Sequence, residues 1–274
     1  MDRVKNILNI INCKKYNCFF ESVDKNNQGM NALIFAITEG IYLTKPQWEI
    51  LVKNSDLSVV AKGHSALTHF LLKGISLNEE TIDYLFKAKN NVLKMEMMWR
   101  EPIKNYFTLN NDISSANYFF KCFLAKLNEL EKEKFFTSRE RLINFIFDNN
   151  LDKKINQENM TELFLLSMKN LIYNHNYELG FLTQIDWEPA NLNKIIKKEK
   201  EIVSNMAGSI YLKNCFFIAE NENYRLSDYA EEIINLTIKD KESKNKLKKT
   251  IEIINEQQAI NKLLPAAKDK NFKI

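Results

Sequence analysis

The chain has 274 residues, of which 45% are hydrophobic and 27% charged, so it can bury one large core or two modest ones and is not a disordered segment. With only 6 Gly and 4 Pro, it lacks the turns of a many-stranded sandwich or barrel and the Gly-rich loops of a nucleotide-binding sheet. The net charge of +4 is well below the dense positive charge of a typical DNA-binding domain. We therefore predict an all-α fold and do not expect nucleic acid as a partner.

The N-terminal segment, residues 1–12, contains a short Ile/Leu patch interrupted by Asn and has no small-residue cleavage site. No apolar run approaches the roughly 18 residues that a membrane span needs. The cysteines have scattered spacings without a C-x-x-C motif, and we expect them to be reduced and mostly buried: Cys13, Cys18, Cys122 and Cys215. These features predict a cytoplasmic protein without a membrane span.

A repeat dominates the first hundred residues. The segment Gly29–Leu33 recurs 34 residues later as Gly63–Leu67, and a second glycine, Gly40 or Gly74, follows the first by 11 residues in both copies. Because glycines are so scarce in this chain, two pairs with equal internal spacing are strong evidence for a structural repeat.

Each copy predicts a pair of helices. Asn31 or Ser65 stands where an N-cap residue is expected, and the glycine that follows each first helix is expected to end it with positive φ. The second helices are predicted from Pro46 to Lys53 and from Glu79 to Lys87, where apolar residues form a one-sided stripe. Two helices every 34 residues predict a solenoid.

These residues resemble the ankyrin repeats, whose pattern G-x-T-P-L-H-x-A-A-x-x-G is matched at its spacing. The matching residues are Gly29, Asn31, Ala32, Leu33, Ala36 and Gly40 in the first unit and Gly63, Ser65, Ala66, Leu67 and Gly74 in the second. Alanine replaces the proline of the motif, and Ile34 or Thr68 replaces its histidine. The resemblance is clear over residues 24–97 and implies a helical-hairpin solenoid; a generic array of helical hairpins is the alternative.

Beyond residue 97 the repeat weakens. A third unit is expected near Glu101–Ile103 and a fourth at Asn159–Leu163, which matches the motif without its glycine. An insertion near 110–138 is expected to hold a helix from Ala116 to Lys134 between them. We therefore predict ankyrin-like repeats over 1–175 and a separate helical region over 176–274.

The C-terminal region is expected to contain helices without a repeat. One begins near Pro189, and another follows Ser227 as its N-cap. The segment 206–219 is compatible with helix or strand by periodicity, and its context favours helix. The last helix is predicted over Lys244–Leu264, ending before Pro265.

No motif of a hydrolase, a P-loop protein, a dinucleotide-binding protein or a zinc protease occurs in the chain. Of the three histidines, His64 and His69 are five residues apart and would not share a helix face, and His175 lies in a polar run that predicts a turn. We expect no catalytic residue, metal or cofactor. The less favoured hypothesis is that the protein is an enzyme whose active site lies in the C-terminal helical region.

The resemblance implies a protein partner, bound on the concave face of the array. In ankyrin-like arrays the contact positions flank the motif glycine and lie late in the first helix. Here these are Asn27, Gln28, Met30, Thr38, Glu39, Lys62, His64, Leu72, Lys73, Met98, Trp99 and Arg100. Met30, His64, Met98 and Arg100 are expected to be exposed, with Trp99 nearby, and together they would form a mixed apolar and cationic interface.

Degenerate arrays of this kind resemble proteins of intracellular bacteria and viruses. This resemblance implies an effector or regulator, which would in that case be delivered to the cytosol of a host cell.

A different interpretation rests on the segment Lys239–Lys249, which holds six Lys and two acidic residues. That segment is either a solvated helix face or a site for nucleic acid or an anionic surface. The sequence leaves the oligomeric state open.

Overall fold

The computed structural model describes residues 29–88, 99–130, 138–168, 175–205, 215–220, 223–237 and 241–268. Within these ranges the chain is mostly helical, with twelve helices and two small antiparallel sheets. The prediction of a predominantly helical fold is therefore confirmed, although short strands accompany the helices. None of the helices in this part of the chain combines the length and the apolarity needed to cross a bilayer.

The chain folds as two compact units, Met1–Lys134 and Phe135–Ile274. The first unit contains α1 (Ala32–Thr38), α2 (Lys45–Lys53), β1 (Val60–Ala61), β2 (His64–Ser65), α3 (Ala66–Lys73), α4 (Glu79–Lys87), α5 (Arg100–Leu109) and α6 (Ile113–Leu130). The second contains α7 (Ser138–Asp148), α8 (Gln157–Met168), α9 (His175–Gln184), α10 (Pro189–Asn205), β3 (Phe217–Glu220), β4 (Asn223–Leu226), α11 (Asp228–Thr237) and α12 (Lys241–Lys268).

The caps of the two repeated helices are those that the sequence predicts. The Asn31 side chain accepts a hydrogen bond from the Ile34 amide at 3.0 Å, and the Ser65 hydroxyl accepts one from the Thr68 amide at 3.3 Å. The two following glycines, at 40 and 74, have φ of 65° and 62°. Because the same caps recur at the same spacing, α1 and α3 begin and end alike.

The six helices of the first unit pack in two rows. In one row α1 packs against α3 and α3 against α5; in the other, α2 packs against α4 and α4 against α6. The rows meet through edge-to-face aromatic contacts such as Trp48 with Phe70, whose ring centroids are 5.1 Å apart. The third pair of helices, α5 and α6, thus continues the arrangement of the first two pairs.

This packing changes the interpretation of the third unit. The helix predicted as an insertion over 116–134 is α6, which starts three residues earlier, at Ile113. It packs on α4 and α5, so it extends the second row instead of interrupting the array. The Ser115 hydroxyl fixes its start, because it accepts a hydrogen bond from the Leu77 amide at 3.2 Å and donates one to the Leu77 carbonyl at 2.8 Å.

The second unit is built from helix pairs around a hairpin. Helix α8 packs on α10, α10 on α12, α9 on α11, and α7 on α8. The hairpin β3–β4 lies against α10 through β3 and against α12 through β4. Since α7 and α8 pack with the helices that follow them, the compact units divide after Lys134, earlier in the chain than the division at 175 predicted from the repeat.

Four local predictions for this unit differ from the structure. The described end of the segment 206–219 forms the strand β3 rather than a helix, and the rest of that segment lies outside the described residues. Residues His175–Tyr177 begin α9 instead of forming a turn. The last helix continues through Pro265 to Lys268, since a proline within a helix removes one backbone hydrogen bond without necessarily ending the helix.

The fourth difference concerns the expected repeat at Asn159–Leu163. Thr161 would be the N-cap in that alignment, but it lies inside α8 and its hydroxyl donates to the Gln157 carbonyl at 2.6 Å. The Asn156 side chain, which accepts a hydrogen bond from the Asn159 amide at 2.9 Å, caps the helix. The motif is therefore shifted in register against the actual helix start.

Candidate partner-binding surface

A short hairpin leads into α3. Val60 pairs with Ser65 and Ala61 with His64, and the two residues of the turn have φ of 52° at Lys62 and 79° at the glycine that follows. Two consecutive residues with positive φ are typical of a type I′ turn, the connection that suits the twist of a tight hairpin. Lys62 is thereby exposed at the tip.

His69 attaches this hairpin to α3. Its Nε2–H donates a hydrogen bond to the Ala61 carbonyl at 3.1 Å, since a carbonyl can only accept. Burial lowers the pKa of His69, and the nearby positive charges of Lys62 and Lys73 lower it further, against the opposing effect of the Ala61 carbonyl. A neutral, buried imidazole therefore links the base of the hairpin to the middle of the helix.

The two histidines come together, contrary to the sequence prediction. The rings of His64 and His69 lie edge to face with centroids 5.5 Å apart. The prediction considered only a shared helix face, whereas His64 belongs to β2, which directly precedes α3. Among the described residues no group of three His, Cys, Asp or Glu side chains could hold a metal ion, so the pair lacks a third ligand there.

The predicted contact residues differ in exposure. Glu39, Lys62, Lys73 and Arg100 are exposed, and Thr38, His64 and Leu72 are half-buried. The structure brings α3 and α5 together beside Leu72, whose carbonyl accepts a hydrogen bond from the Asn105 amide group at 3.5 Å. We call the surface formed by the hairpin tip and the accessible side chains of α1, α3 and α5 the inner face. Its residues are Thr38, Glu39, Lys62, His64, Leu72, Lys73, Arg100, Glu101 and Lys104.

Two of the predicted contact residues are buried. Met30 is 6% exposed and Trp99 is 7% exposed, so the expectation that Met30 is an exposed contact is wrong. Met30 directly precedes the N-cap of α1, a position whose apolar side chain commonly packs on the first turn of the helix. Trp99 supports Arg100, whose guanidinium carbon lies 5.5 Å from the indole centroid. The remaining three, Asn27, Gln28 and Met98, lie outside the described residues.

Ion pairs in the described part of the first unit involve the second row of helices. Lys45 lies 2.5 Å from Asp112, Lys53 pairs with Glu49 and Glu80, and Lys126 pairs with Glu129. These residues belong to α2, α4 and α6 or to the residue preceding α6. Three lysines of the second row are thus paired with acids, whereas Lys87 in α4 and Lys121 in α6 form no ion pair with a described residue.

The inner face is different. Its basic residues Lys62, Lys73, Arg100 and Lys104 form no ion pair with any described residue, and all four are exposed. Its acidic residues are Glu39 and Glu101. The inner face therefore carries a basic excess that the described part of the chain leaves uncompensated.

A buried carboxyl in the second unit was missed by the sequence analysis. Glu199, in α10, is 3% exposed and accepts hydrogen bonds from the Phe216 amide at 2.6 Å and the Phe217 amide at 2.8 Å. Burial raises the pKa of Glu199 to about 7. The sequence holds one signal for this buried carboxyl: Glu199 is spaced along the helix so that it falls on the same buried stripe as Leu192 and Ile195. An acidic side chain in such a position needs a hydrogen-bonding partner.

This carboxyl holds the start of β3 in place and is occupied by the backbone. Burial also raises the pKa of the neighbouring Cys215 thiol, so the thiol stays protonated and is a weak nucleophile. In the first unit, Cys122 is hydrogen-bonded to Asp83 and burial raises its pKa to about 12. Neither cysteine is activated for catalysis, and Cys13 and Cys18 lie outside the described residues.

The basic segment Lys239–Lys249 is partly compensated. Lys244 and Lys248 both pair with Glu231, at 3.2 and 2.6 Å, and Lys246 pairs with Glu242 at 3.4 Å. Three of its lysines therefore face carboxylates of the same unit, which is the arrangement of a solvated helix face.

Comparison of the chain with protein-family models, with curated protein sequences and with solved structures found no match.

Proposed function

We propose that the first unit is an ankyrin-like array that binds a partner protein through its inner face. The observation that carries this proposal is the recurrence of helix pairs with the same caps, 34 residues apart, packed first helix on first helix and second on second. Stacked helical pairs of this kind bury a continuous core and leave a preformed concave surface.

The composition of the inner face supports a protein as the partner. It combines the exposed charges of Glu39, Lys73 and Arg100 with the half-buried Leu72 and His64, a mixture of polar rim and apolar centre that protein interfaces share. The hairpin tip adds the exposed Lys62 to this face. Recognition by such a preformed surface costs little conformational entropy.

The biological role follows from the resemblance alone. We propose an effector or regulator that acts in a cytoplasm without catalysing a reaction. The alternative binder of anionic surfaces through Lys239–Lys249 has less support, because ion pairs within the second unit occupy Lys244, Lys246 and Lys248.

Site-specific photocrosslinking tests the proposal. The photoreactive amino acid p-benzoylphenylalanine replaces Glu39, Lys73 or Arg100 on the inner face, and Lys87 or Lys121, which are exposed on α4 and α6, as matched controls. The full chain is irradiated in an extract of cells that make it, and the captured protein is identified, purified and titrated against the unlabelled chain.

We expect one protein to crosslink from the inner positions and not from the controls, and its affinity to fall when Lys73 and Arg100 are changed to Ala. Crosslinks from only the control positions, or an affinity that the two substitutions leave unchanged, would refute the proposal.

A further inference from the structure

We propose that the partner presents an acidic segment to the inner face. This inference rests on the proposed function and names the chemistry of the partner. It starts from the distribution of charge within the first unit: the ion pairs of its described part belong to the second row, while Lys62, Lys73, Arg100 and Lys104 form none with a described residue. Exposed cations that are not paired within the described part of the chain are available to a partner's carboxylates.

The four cations lie on adjoining elements. Lys62 at the hairpin tip and Lys73 at the end of α3 are both close enough to His69 to lower its pKa by their positive charge. The contact between Asn105 and the Leu72 carbonyl joins α5 to α3, one residue away from Lys104 and Lys73 respectively. The basic residues therefore lie on elements that pack directly against one another.

The arrangement on α5 extends this surface. Arg100 and Lys104 are one helical turn apart, on the same side of α5. Arg100 is held beside the buried Trp99 ring, so less side-chain entropy is lost when the guanidinium binds a carboxylate. The axes of two packed helices, such as α3 and α5, are about 8–10 Å apart. An extended peptide segment of a few residues spans that distance.

A nucleic acid fits this surface less well than an acidic peptide. Glu39 and Glu101 are exposed among the cations and would repel a continuous phosphate backbone, whereas a peptide can place a basic or neutral residue opposite each of them. Single-stranded nucleic acids also use exposed aromatic rings for base stacking, and Trp99 is buried here.

The test measures binding of two labelled probes to the full chain by fluorescence anisotropy at low ionic strength: a decaglutamate peptide and a thymidine decamer. The inner-face variant is Lys62→Glu with Lys73→Glu. The matched control, Lys87→Glu with Lys121→Glu, changes the net charge equally on the second row.

We expect decaglutamate to bind, the inner-face variant to bind it about tenfold more weakly, and the control to bind it like the wild type. Circular dichroism of both variants establishes that they fold. The inference is overturned if decaglutamate does not bind, if both variants or neither lose affinity, or if the thymidine decamer binds more tightly.

The two proposals fail separately. If the captured partner crosslinks from the inner face through a segment without acidic residues, the inference about charge is wrong and the proposed function stands. If the partner crosslinks only from α4 and α6, the proposed function itself fails.

Discussion

At the scale of single residues, Gly74 combines two demands. It ends α3 with φ of 62°, and a methyl group added to it would collide with Leu109 Cβ and lie 2.9 Å from the Leu109 carbonyl carbon. Gly40 ends α1 with φ of 65° but has no atom within 4 Å of that position. Alanine substitutions at the two glycines therefore distinguish the energetic cost of the left-handed backbone conformation, which both share, from the cost of a clash with α5, which only Gly74 has.

We predict that Gly40→Ala lowers the free energy of unfolding by about 1–2 kcal/mol, the cost of a left-handed residue with a side chain. Gly74→Ala should lower it by roughly 1–3 kcal/mol more, because the added methyl group overpacks the contact with Leu109. Urea unfolding of the two variants measures the difference. Equal losses would mean that α3 and α5 do not approach as closely as described.

Glu199 makes the stability of the second unit depend on pH. Its pKa is raised by burial to about 7 from an ordinary value of 4.5, so the folded state binds a proton that the unfolded state has released. Its stabilising contribution is complete below pH 4.5 and is lost as the pH rises through about 7, a change of roughly 3 kcal/mol at most.

We therefore predict that the Phe216 and Phe217 amides lose protection from hydrogen exchange between pH 5 and pH 7.5, after correction for intrinsic exchange rates. Glu199→Gln should remove this dependence, and it should also lower protection at pH 5, because the amide offers one acceptor oxygen to two N–H donors. Protection that rises with pH in the wild type would be the wrong sign for a buried carboxyl.

At the scale of elements, the hairpin β1–β2 depends on one side chain of α3. His69 donates to the Ala61 carbonyl at 3.1 Å and is buried. We predict that His69→Leu lowers the free energy of unfolding by about 1–3 kcal/mol, because it leaves that carbonyl without its donor. His69→Gln, which keeps a donor, should lose less. Unfolding followed by tryptophan fluorescence, to which Trp48 contributes from its contact with Phe70 beside His69, provides the measurement.

The pH dependence of the same contact has the opposite sign to that of Glu199. Because the pKa of His69 is lowered from its ordinary value of 6.5, its contribution to stability is present above pH 6.5 and is lost as the pH falls below it. His69→Gln should abolish this loss in the first unit. A wild type whose first unit gains stability on acidification over that range would contradict the assignment of a neutral, buried imidazole.

Elements with local signals could be predicted from the sequence. Helix α4 lies over the predicted residues, and α2 begins one residue before Pro46. Their start signals and apolar stripes lie within a few residues of each other, so tertiary contacts were not needed to locate them. The caps Asn31 and Ser65 belong to the same group.

Elements that depend on distant partners were missed. At the start of β3, the Phe216 and Phe217 amides donate hydrogen bonds to Glu199, which lies 17 and 18 residues earlier in the chain. Strand β4 is held by Asn255, 31 residues away, whose side chain accepts a hydrogen bond from the Tyr224 amide and donates one to the Tyr224 carbonyl. Periodicity within a short apolar run does not report such contacts. The meeting of His64 with His69 was missed because His64 lies in β2, outside the helix that holds His69.

At the scale of the whole molecule, the chain consists of two compact units that are built differently. The first carries the repeat and the inner face; the second is built around a hairpin clamped by Glu199 and Asn255. The candidate surface could be predicted in outline from the ankyrin resemblance, which placed Lys62, Lys73 and Arg100 on it. Its charge balance could not, because that depends on which lysines the fold pairs with acids.

The most direct measurement is hydrogen exchange, by mass spectrometry, of the full chain alone and with the partner that crosslinking identifies. We predict that binding slows exchange in peptides that contain the hairpin tip, the end of α3 and the first turns of α5, and that exchange in α2, α4 and the second unit is unchanged. Slowed exchange confined to α2 and α4, or to the second unit, would contradict the claim that the inner face is the binding surface.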